Sequence, residues 1–287
     1  MTSYSVVIPT LNEKEFIVRC IRAILSGSET PDEIIVVDGN SSDGTREMAL
    51  AAGAQVFLNL KVHAAGGRNI GLAKARGDVI VFTDADCVPA QDWLANIKRS
   101  FDHDPSLDGV GGPLMALPAR SKVEAFWAHM FLHEIMPSPT QPQLITRCTL
   151  SGAFVTANCA YRKTLLLDLN GFDEWFGNQA EDVDLFWRAI HRKFKLLFLP
   201  SLVVYHSFPN TMSGMMKKNF RNGMSSSRLQ RRYGTRVNID KKLYRVFATN
   251  LWKLVTLKQD GFFGCAQVFS HLTGKVVGSL KFRVINL

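Results

Sequence analysis

Residues 78–86 read Asp-Val-Ile-Val-Phe-Thr-Asp-Ala-Asp, DVIVFTDAD. A short run rich in Val and Ile, too short for a helix, predicts a buried strand over Asp78–Thr83, and it closes on two carboxylates. Similar runs precede it: Tyr4–Pro9 (YSVVIP), Glu33–Asp38 (EIIVVD) and Ala54–Leu58. Helical patterns separate them, over Asn12–Leu25, Thr45–Ala52 and Ala64–Ala75, and another follows at Gln91–Phe101. Strands alternating with helices predict an α/β fold whose mostly parallel central sheet is covered by helices on both faces.

After Gly109 the pattern loosens. Val110–Pro113 reads as an irregular strand, Val123–Met136 as an aromatic-rich helix, Pro137–Pro142 as a loop and Thr149–Tyr161 as partly extended. Glu181–Arg192 is a helix, and strands follow near Lys195–Leu199 and Leu202–His206.

Length and composition fit this reading. The 287 residues are 46% hydrophobic and 21% charged, which excludes a disordered or fibrous chain. The net charge of +9 is unevenly spread. Residues 1–206 hold 19 basic and 23 acidic side chains, whereas residues 207–287 hold 15 basic and 2 acidic. The shift puts a boundary at 207, between residues 1–206, which divide into 1–109 and 110–206 where the pattern loosens, and a basic amphipathic helical tail over 207–287.

Five widely spaced cysteines with no C-x-x-C argue against a disulfide framework or a zinc site and suit a reducing cytoplasm. Met1–Tyr4 lacks a signal-peptide pattern. The longest charge-free apolar stretch, Gly261–Gly274, contains His271 and suits a buried or interfacial segment better than a spanning one.

In an open α/β sheet, ligands gather at the carboxyl ends of the strands. Strand one ends in Pro9-Thr10-Leu11-Asn12-Glu13, strand two in Asp38 before Gly39–Thr45, and strand four in Asp84-Ala85-Asp86. In extended chain, residues two apart face the same side, so Asp84 and Asp86 are expected to face one ligand. Paired carboxylates beside a diphosphate suit Mg²⁺ or Mn²⁺. Asp38 either caps its loop or accepts a hydrogen bond from a ribose or base. No G-x-G-x-x-G follows strand one and no P-loop occurs, which disfavours a dinucleotide site and a Walker-type ATP site.

Four segments in order, SVVIPTLNE, EIIVVDGNSSDGT, GGRNIGLAKARGDVIVFTDAD and AEDVDLFWR, resemble the inverting family 2 glycosyltransferases of the GT-A fold over residues 3 to 206. The resemblance implies a catalytic domain over 1–206, with a nucleotide-binding half (1–109) and an acceptor half (110–206), a nucleotide-diphosphate sugar donor and a divalent metal, Mn²⁺ or Mg²⁺. It implies that Pro9, Thr10, Glu13, Asp38 and Arg68 line the nucleoside pocket, that Asp84 lies by the ribose and diphosphate, and that Asp86 holds the metal, with Asp84 and His206 as further candidate ligands. Gly152 and Asn158, in SGAFVTANCAYRK, would line the sugar and acceptor pocket.

Inverting transfer needs one base to take the acceptor's proton. By the resemblance this is the Asp of Glu181-Asp182, with Glu181 able to substitute. The pair opens a helix, where the dipole favours ionised carboxylates. Asp184 and Arg188, four apart, read as a helix-face ion pair. Trp175 and Trp187 either stack on a sugar or join the core.

Among the basic residues of the tail, apolar positions at helical spacing (Leu243, Val246, Phe247, Leu251, Leu254, Val255) suit a helix lying on an anionic membrane surface. The alternative is an appendage packed on the catalytic domain or on a second subunit of a homo-oligomer. Gln230-Arg231-Arg232-Tyr233 departs from the Q-x-x-R-W motif of processive members. The resulting expectation is a peripheral enzyme on the inner face of the cell membrane acting on a lipid-linked or polysaccharide acceptor. The competing readings are a nucleotidyltransferase acting on sugar phosphates and a non-enzymatic polyanion-binding protein. No nucleic-acid module is recognised, so no nucleic-acid partner is expected.

Overall fold

The computed structural model describes residues 2–148, 154–234, 249 and 259–284. The chain divides into two compact units, Met1–Leu117 with Leu132–Ser207, and Pro118–Phe131 with Phe208–Leu287. Residues 118–131, assigned above to the acceptor half, therefore belong to the second unit.

In the first unit β1 (Tyr4–Thr10), β2 (Glu33–Asp38), β3 (Gln55–Leu58) and β4 (Val79–Phe82) are parallel, in the spatial order β3-β2-β1-β4. Helices α1 (Lys14–Leu25), α2 (Thr45–Ala51), α3 (Ala64–Lys74) and α4 (Trp93–His103) punctuate them. The strands are continuous apolar runs because both faces are covered: Val6, Val7, Ile35, Val36, Ile80 and Val81 are fully buried. Helix α3 lies close on β1. A Cβ at Gly71 would run into Val7, and one at Gly67 would crowd Pro9, so glycine at these two positions is what allows the approach.

Beyond β4 the sheet becomes mixed rather than mostly parallel. Strand β9 (Cys159–Arg162) inserts antiparallel between β4 and β6 (Gly109–Gly111), β10 (Leu196–Phe198) runs parallel to β6, and β8 (Gln143–Ile145) is an antiparallel edge. A second sheet joins β5 (Cys87–Pro89), β11 (Val204–His206) and β7 (Leu114–Ala116). Helix α6 (Lys163–Asp168) follows β9, and α7 (Glu181–His191) precedes β10.

In the second unit, α5 (Lys122–His129) is capped by Ser121, whose Oγ accepts from the Glu124 amide at 3.1 Å; the π-helical turn that follows it, Met130–Ile135, carries the chain back into the first unit at Leu132. The buried Glu124 carboxylate accepts from the amides of Arg120 (2.8 Å) and Phe208 (3.2 Å). Helices α8 (Met212–Tyr233) and α9 (Gln259–Phe282) pack together. Met216 meets Ser270, Phe220 meets Gly274, and Ser227 meets Lys275 and Gly278. The partner numbers rise together, so the two helices run parallel. Much of the basic and apolar pattern noted above, including Arg236, Leu243, Val246 and Phe247, lies outside the described residues.

Candidate active site

The loops after β1 and β2 are laced together. The Asn12 amide donates to Ser41 Oγ (2.8 Å), Asn12 Oδ1 accepts from the Ser42 amide (3.0 Å), and the Glu13 amide donates to Thr45 Oγ1 (2.9 Å). Asn12 and Asn40 sit at φ +56° and +66°, where Asn is among the better-tolerated side chains. Asp38, fully buried, divides its two oxygens. Oδ2 accepts from the Ser41 amide (3.0 Å) and from Arg46 (3.1 Å), which is loop capping. Oδ1 is buried without a partner among the described residues, as is Thr10 Oγ1. No sequence motif marks Arg46; its signal is its place in the first turn of α2, the helix that follows Asp38.

Asp84 and Asp86 do not lie in extended chain. Strand β4 ends at Phe82, and the Cys87 amide donates to the Asp84 carbonyl (3.1 Å), closing a turn over Asp84–Cys87. The turn sends the two carboxylates to different neighbours. Asp84 Oδ1 accepts from Arg68 (2.9 Å). Asp86 meets His206, because β11 pairs antiparallel with β5 and sets His206 opposite Cys87. His206 Nε2 is 3.6 Å from Asp86 Oδ2. Ligand atoms of Asp86, Cys87 and His206 lie within 4.8 Å of one another, and Asp84 is not in that group.

Burial, with Asp86 and Asp84 beside it, raises the Cys87 thiol well above its ordinary value. Of the three candidate donors, the carboxylate and the imidazole suit a hard or borderline cation better than the thiol does. That set fits a divalent first-row cation completed by diphosphate and water. Glu13, where α1 begins, is pushed up to about 7 by burial and then by Asp86 and Asp84. The region is short of positive charge, which a cation would supply.

Arg68 is carried into the interior by α3, between Gly67 and Gly71, and is nearly fully buried. Its guanidinium bonds Asp84 on one side and Glu181 Oε1 (2.7 Å) on the other, over the Phe172 ring at 5.7 Å. Burial alone would lower its pKa, but Asp84, Glu181 and Asp182 outweigh burial and raise it. Arg68 therefore holds two carboxylates together from the interior.

Glu181 is buried as well, and its carboxyl is raised by burial, against Arg68 and with Asp182. Asp182, partly exposed in the first turn of α7, accepts from the Val183 amide at 2.8 Å. Asp184 bonds Arg188 (2.8 Å) as a helix-face pair, and Arg188 also donates to the carbonyls of Leu169 and Gly171.

Asn158 corrects the sequence reading. Its side chain is fully buried and spent on the scaffold, donating to the carbonyls of Pro113 (2.8 Å) and Leu202 (2.7 Å) and accepting from Trp93 Nε1 (2.8 Å). Both amide hydrogens are committed to the scaffold, and the side chain is closed off from solvent. Gly152 lies outside the described residues. Trp187 is a core residue, whereas Trp175 is 45% exposed.

The family described as "Glycosyl transferase family 2" matches residues 5–169 of the chain. The glycosyltransferase AglE of Haloferax volcanii is 28% identical over 263 residues, 88% of this chain and 80% of that protein. The poly-beta-1,6-N-acetyl-D-glucosamine synthase of Staphylococcus aureus is 25% identical over 218 residues, 73% of this chain and 51% of the synthase, so the match spans about half of that relative's length. The mannosyltransferase PcManGT from Pyrobaculum calidifontis, solved with GDP-Man and Mn²⁺, superposes with a TM-score of 0.67 at 17% identity, over 98% of this chain and 88% of that one. That superposition establishes a shared fold.

Proposed function

The chain belongs to glycosyl transferase family 2 and is a glycosyltransferase, and from that premise we propose that it is an inverting, metal-dependent enzyme. It moves a sugar from a nucleoside-diphosphate donor to a hydroxyl of a lipid-linked or polysaccharide acceptor. The observation that carries this reading is the buried Arg68 bonded to both Asp84 and Glu181, which makes the D-A-D turn and the Glu-Asp pair one site.

Asp182 is the general base. It stands in the first turn of α7, where the helix dipole favours its ionised form. It takes the proton of the acceptor hydroxyl as that oxygen attacks the anomeric carbon. The bond from that carbon to the diphosphate oxygen breaks on the opposite face, and the configuration inverts. Asp86 and His206 would hold the cation, Mn²⁺ or Mg²⁺, which when bound offsets charge on the departing diphosphate. Thr10 and Asp38, with Pro9 and Glu13 beside them, receive the nucleoside. The buried Thr10 Oγ1 and Asp38 Oδ1, unpartnered among the described residues, are groups that nucleoside N–H and O–H donors would satisfy.

The second unit docks on an anionic membrane surface at the inner face of the cell membrane. Helix α8 exposes Lys217, Lys218, Arg221, Arg231 and Arg232 and contains no acid. No helix among the described residues is long and apolar enough to cross a membrane.

Full-length protein incubated with Mn²⁺ or Mg²⁺ and a panel of UDP-, GDP- and dTDP-sugars tests the reading. Release of nucleoside diphosphate from at least one donor, abolished by chelation, is expected. No binding or turnover of any donor overturns it.

A further inference from the structure

Glu181 stands where a general base could stand, yet its side chain is only 6% exposed and its Oε1 is bonded to Arg68. We propose that Glu181 is a positioning residue: it fixes Arg68, and through Arg68 indexes the first turn of α7, which carries Asp182, to the donor-side turn that begins at Asp84. The inference rests on the reading of Asp182 as base and assigns Glu181 a different role in the same reaction.

Helix α7 needs such a tether. Its N-cap residue is Ala180, at φ +63°, and Ala180 supplies no side-chain cap. The start of the helix is therefore held from elsewhere. Hydrogen bonds tie the loop that leads into it to α3: the Ala64 amide donates to Asn178 Oδ1 (2.6 Å), the Ala65 amide to the Gly177 carbonyl (3.0 Å), Asn69 Nδ2 to the Phe172 carbonyl (2.9 Å), and the Phe172 amide to Asn69 Oδ1 (2.8 Å). Glu181 adds the tie at the helix end itself, onto a residue of that same α3. Arg68 cannot swing away, since α3 is seated on β1 at Gly67 and Gly71 and the guanidinium lies over Phe172. The planar fork fixes direction as well as distance, which a lysine at the same place would not. A base held this way keeps one bearing relative to the diphosphate side of the site, and small errors in that bearing are costly.

Glu181→Gln keeps the shape and removes the charge. Steady-state transfer should show kcat lowered by about 10- to 100-fold, the cost of a slight misplacement, while the donor KM changes little. Asp182→Asn should cost clearly more, toward the upper end of about 10²- to 10⁴-fold in kcat. Arg68→Gln combined with Glu181→Gln should cost no more in kcat than the worse single variant, because the two act through one another. Arg68→Lys gives a second route if a glutamine variant folds poorly, with the same kcat loss expected.

The proposal is overturned if Glu181→Gln is as inactive as Asp182→Asn, if the single losses multiply in the double variant, or if the loss falls on donor KM alone. Amide hydrogen exchange separates this failure from failure of the glycosyltransfer reading. Exchange at residues 182–184 should quicken in Glu181→Gln relative to wild type whether or not any donor is turned over. Unchanged protection there overturns the tether even in an active enzyme.

Discussion

His206 ends β11 and Asp86 sits in the turn that leads into β5, and the pairing of these two strands in the small second sheet leaves His206 Nε2 3.6 Å from Asp86 Oδ2. The Ser207 amide also donates to the Asp86 carbonyl (3.2 Å), so backbone fixes the approach before the side chains contribute. In the proposed reaction such a pair would give a divalent cation two points of hold. Asp86→Asn and His206→Ala should each weaken Mn²⁺ binding by more than about tenfold. Asp84→Asn should weaken it less, because Asp84 bonds Arg68. Titration calorimetry of the donor-free protein reads all three, and equal losses for Asp84→Asn and Asp86→Asn would contradict this division of roles.

A base that only takes a proton contributes to the chemical step and little to donor affinity. Asp182→Asn should lower kcat by roughly 10²- to 10⁴-fold and leave the donor dissociation constant within a few-fold. Stopped activity with intact nucleotide-sugar binding by fluorescence titration is the expected pair of results. Wild-type turnover in this variant would remove Asp182 from the mechanism.

Glu13 connects the site to pH. Its carboxyl is pushed up to about 7 in the folded protein by burial and by Asp86 and Asp84, from an ordinary value of 4.5. Below about 4.5 it is protonated in both folded and unfolded chains, and the fold neither gains nor loses. As pH rises from there to about 7, the unfolded chain releases a proton that the folded chain retains, so stability falls, and it levels off above 7. Glu13→Gln should therefore raise the melting temperature at pH 8 and leave it nearly unchanged near pH 4. After allowance for its partial exposure, the gain at pH 8 should be about 1 to 2 kcal/mol. Added Mn²⁺ should shrink that gain by answering the same charge. A gain equal at both pH values would place the cause in packing instead.

The first half of this fold is legible in the sequence because its signals are long and uniform. Glu33–Asp38 is a strand over the very residues that its apolar run marks, and β1, α2 and α3 differ from expectation by a residue or two at an end. The second half is made of strands three or four residues long, such as β5, β7 and β9, whose periodicity is too brief to read and whose direction depends on partners distant in sequence. The same limit applies to the site. Asp38, Asp86 and Asp182 can be picked out from motif order. That Arg68 would join Asp84 to Glu181, or that Asp84-Ala85-Asp86 would turn instead of extending, depends on a helix seated through two glycines and on a sheet register that no local pattern carries. Cys87 directly follows the two carboxylates, but no motif sets it apart from the other four cysteines, and only the pairing of β5 with β11 brings it beside His206.

Asn158 is where a motif reading and a packing reading give opposite forecasts. If the residue touched sugar, its loss would appear in KM and leave the fold alone. Its three hydrogen bonds instead join α4, the Gly112–Pro113 segment that leads into β7, and the turn before β11. Asn158→Ala would leave the Trp93 indole N–H and the carbonyls of Pro113 and Leu202 without these bonds in a region closed to water. Each such orphaned group costs about 1 to 3 kcal/mol, so a total loss of about 3 kcal/mol or more is expected. Asn158→Asp should fare no better, since it keeps the acceptor for Trp93 but removes the amide donors and buries a carboxylate. Urea denaturation should show the midpoint of both variants falling with little change in slope. A variant of wild-type stability with a raised donor KM would return Asn158 to the sugar pocket.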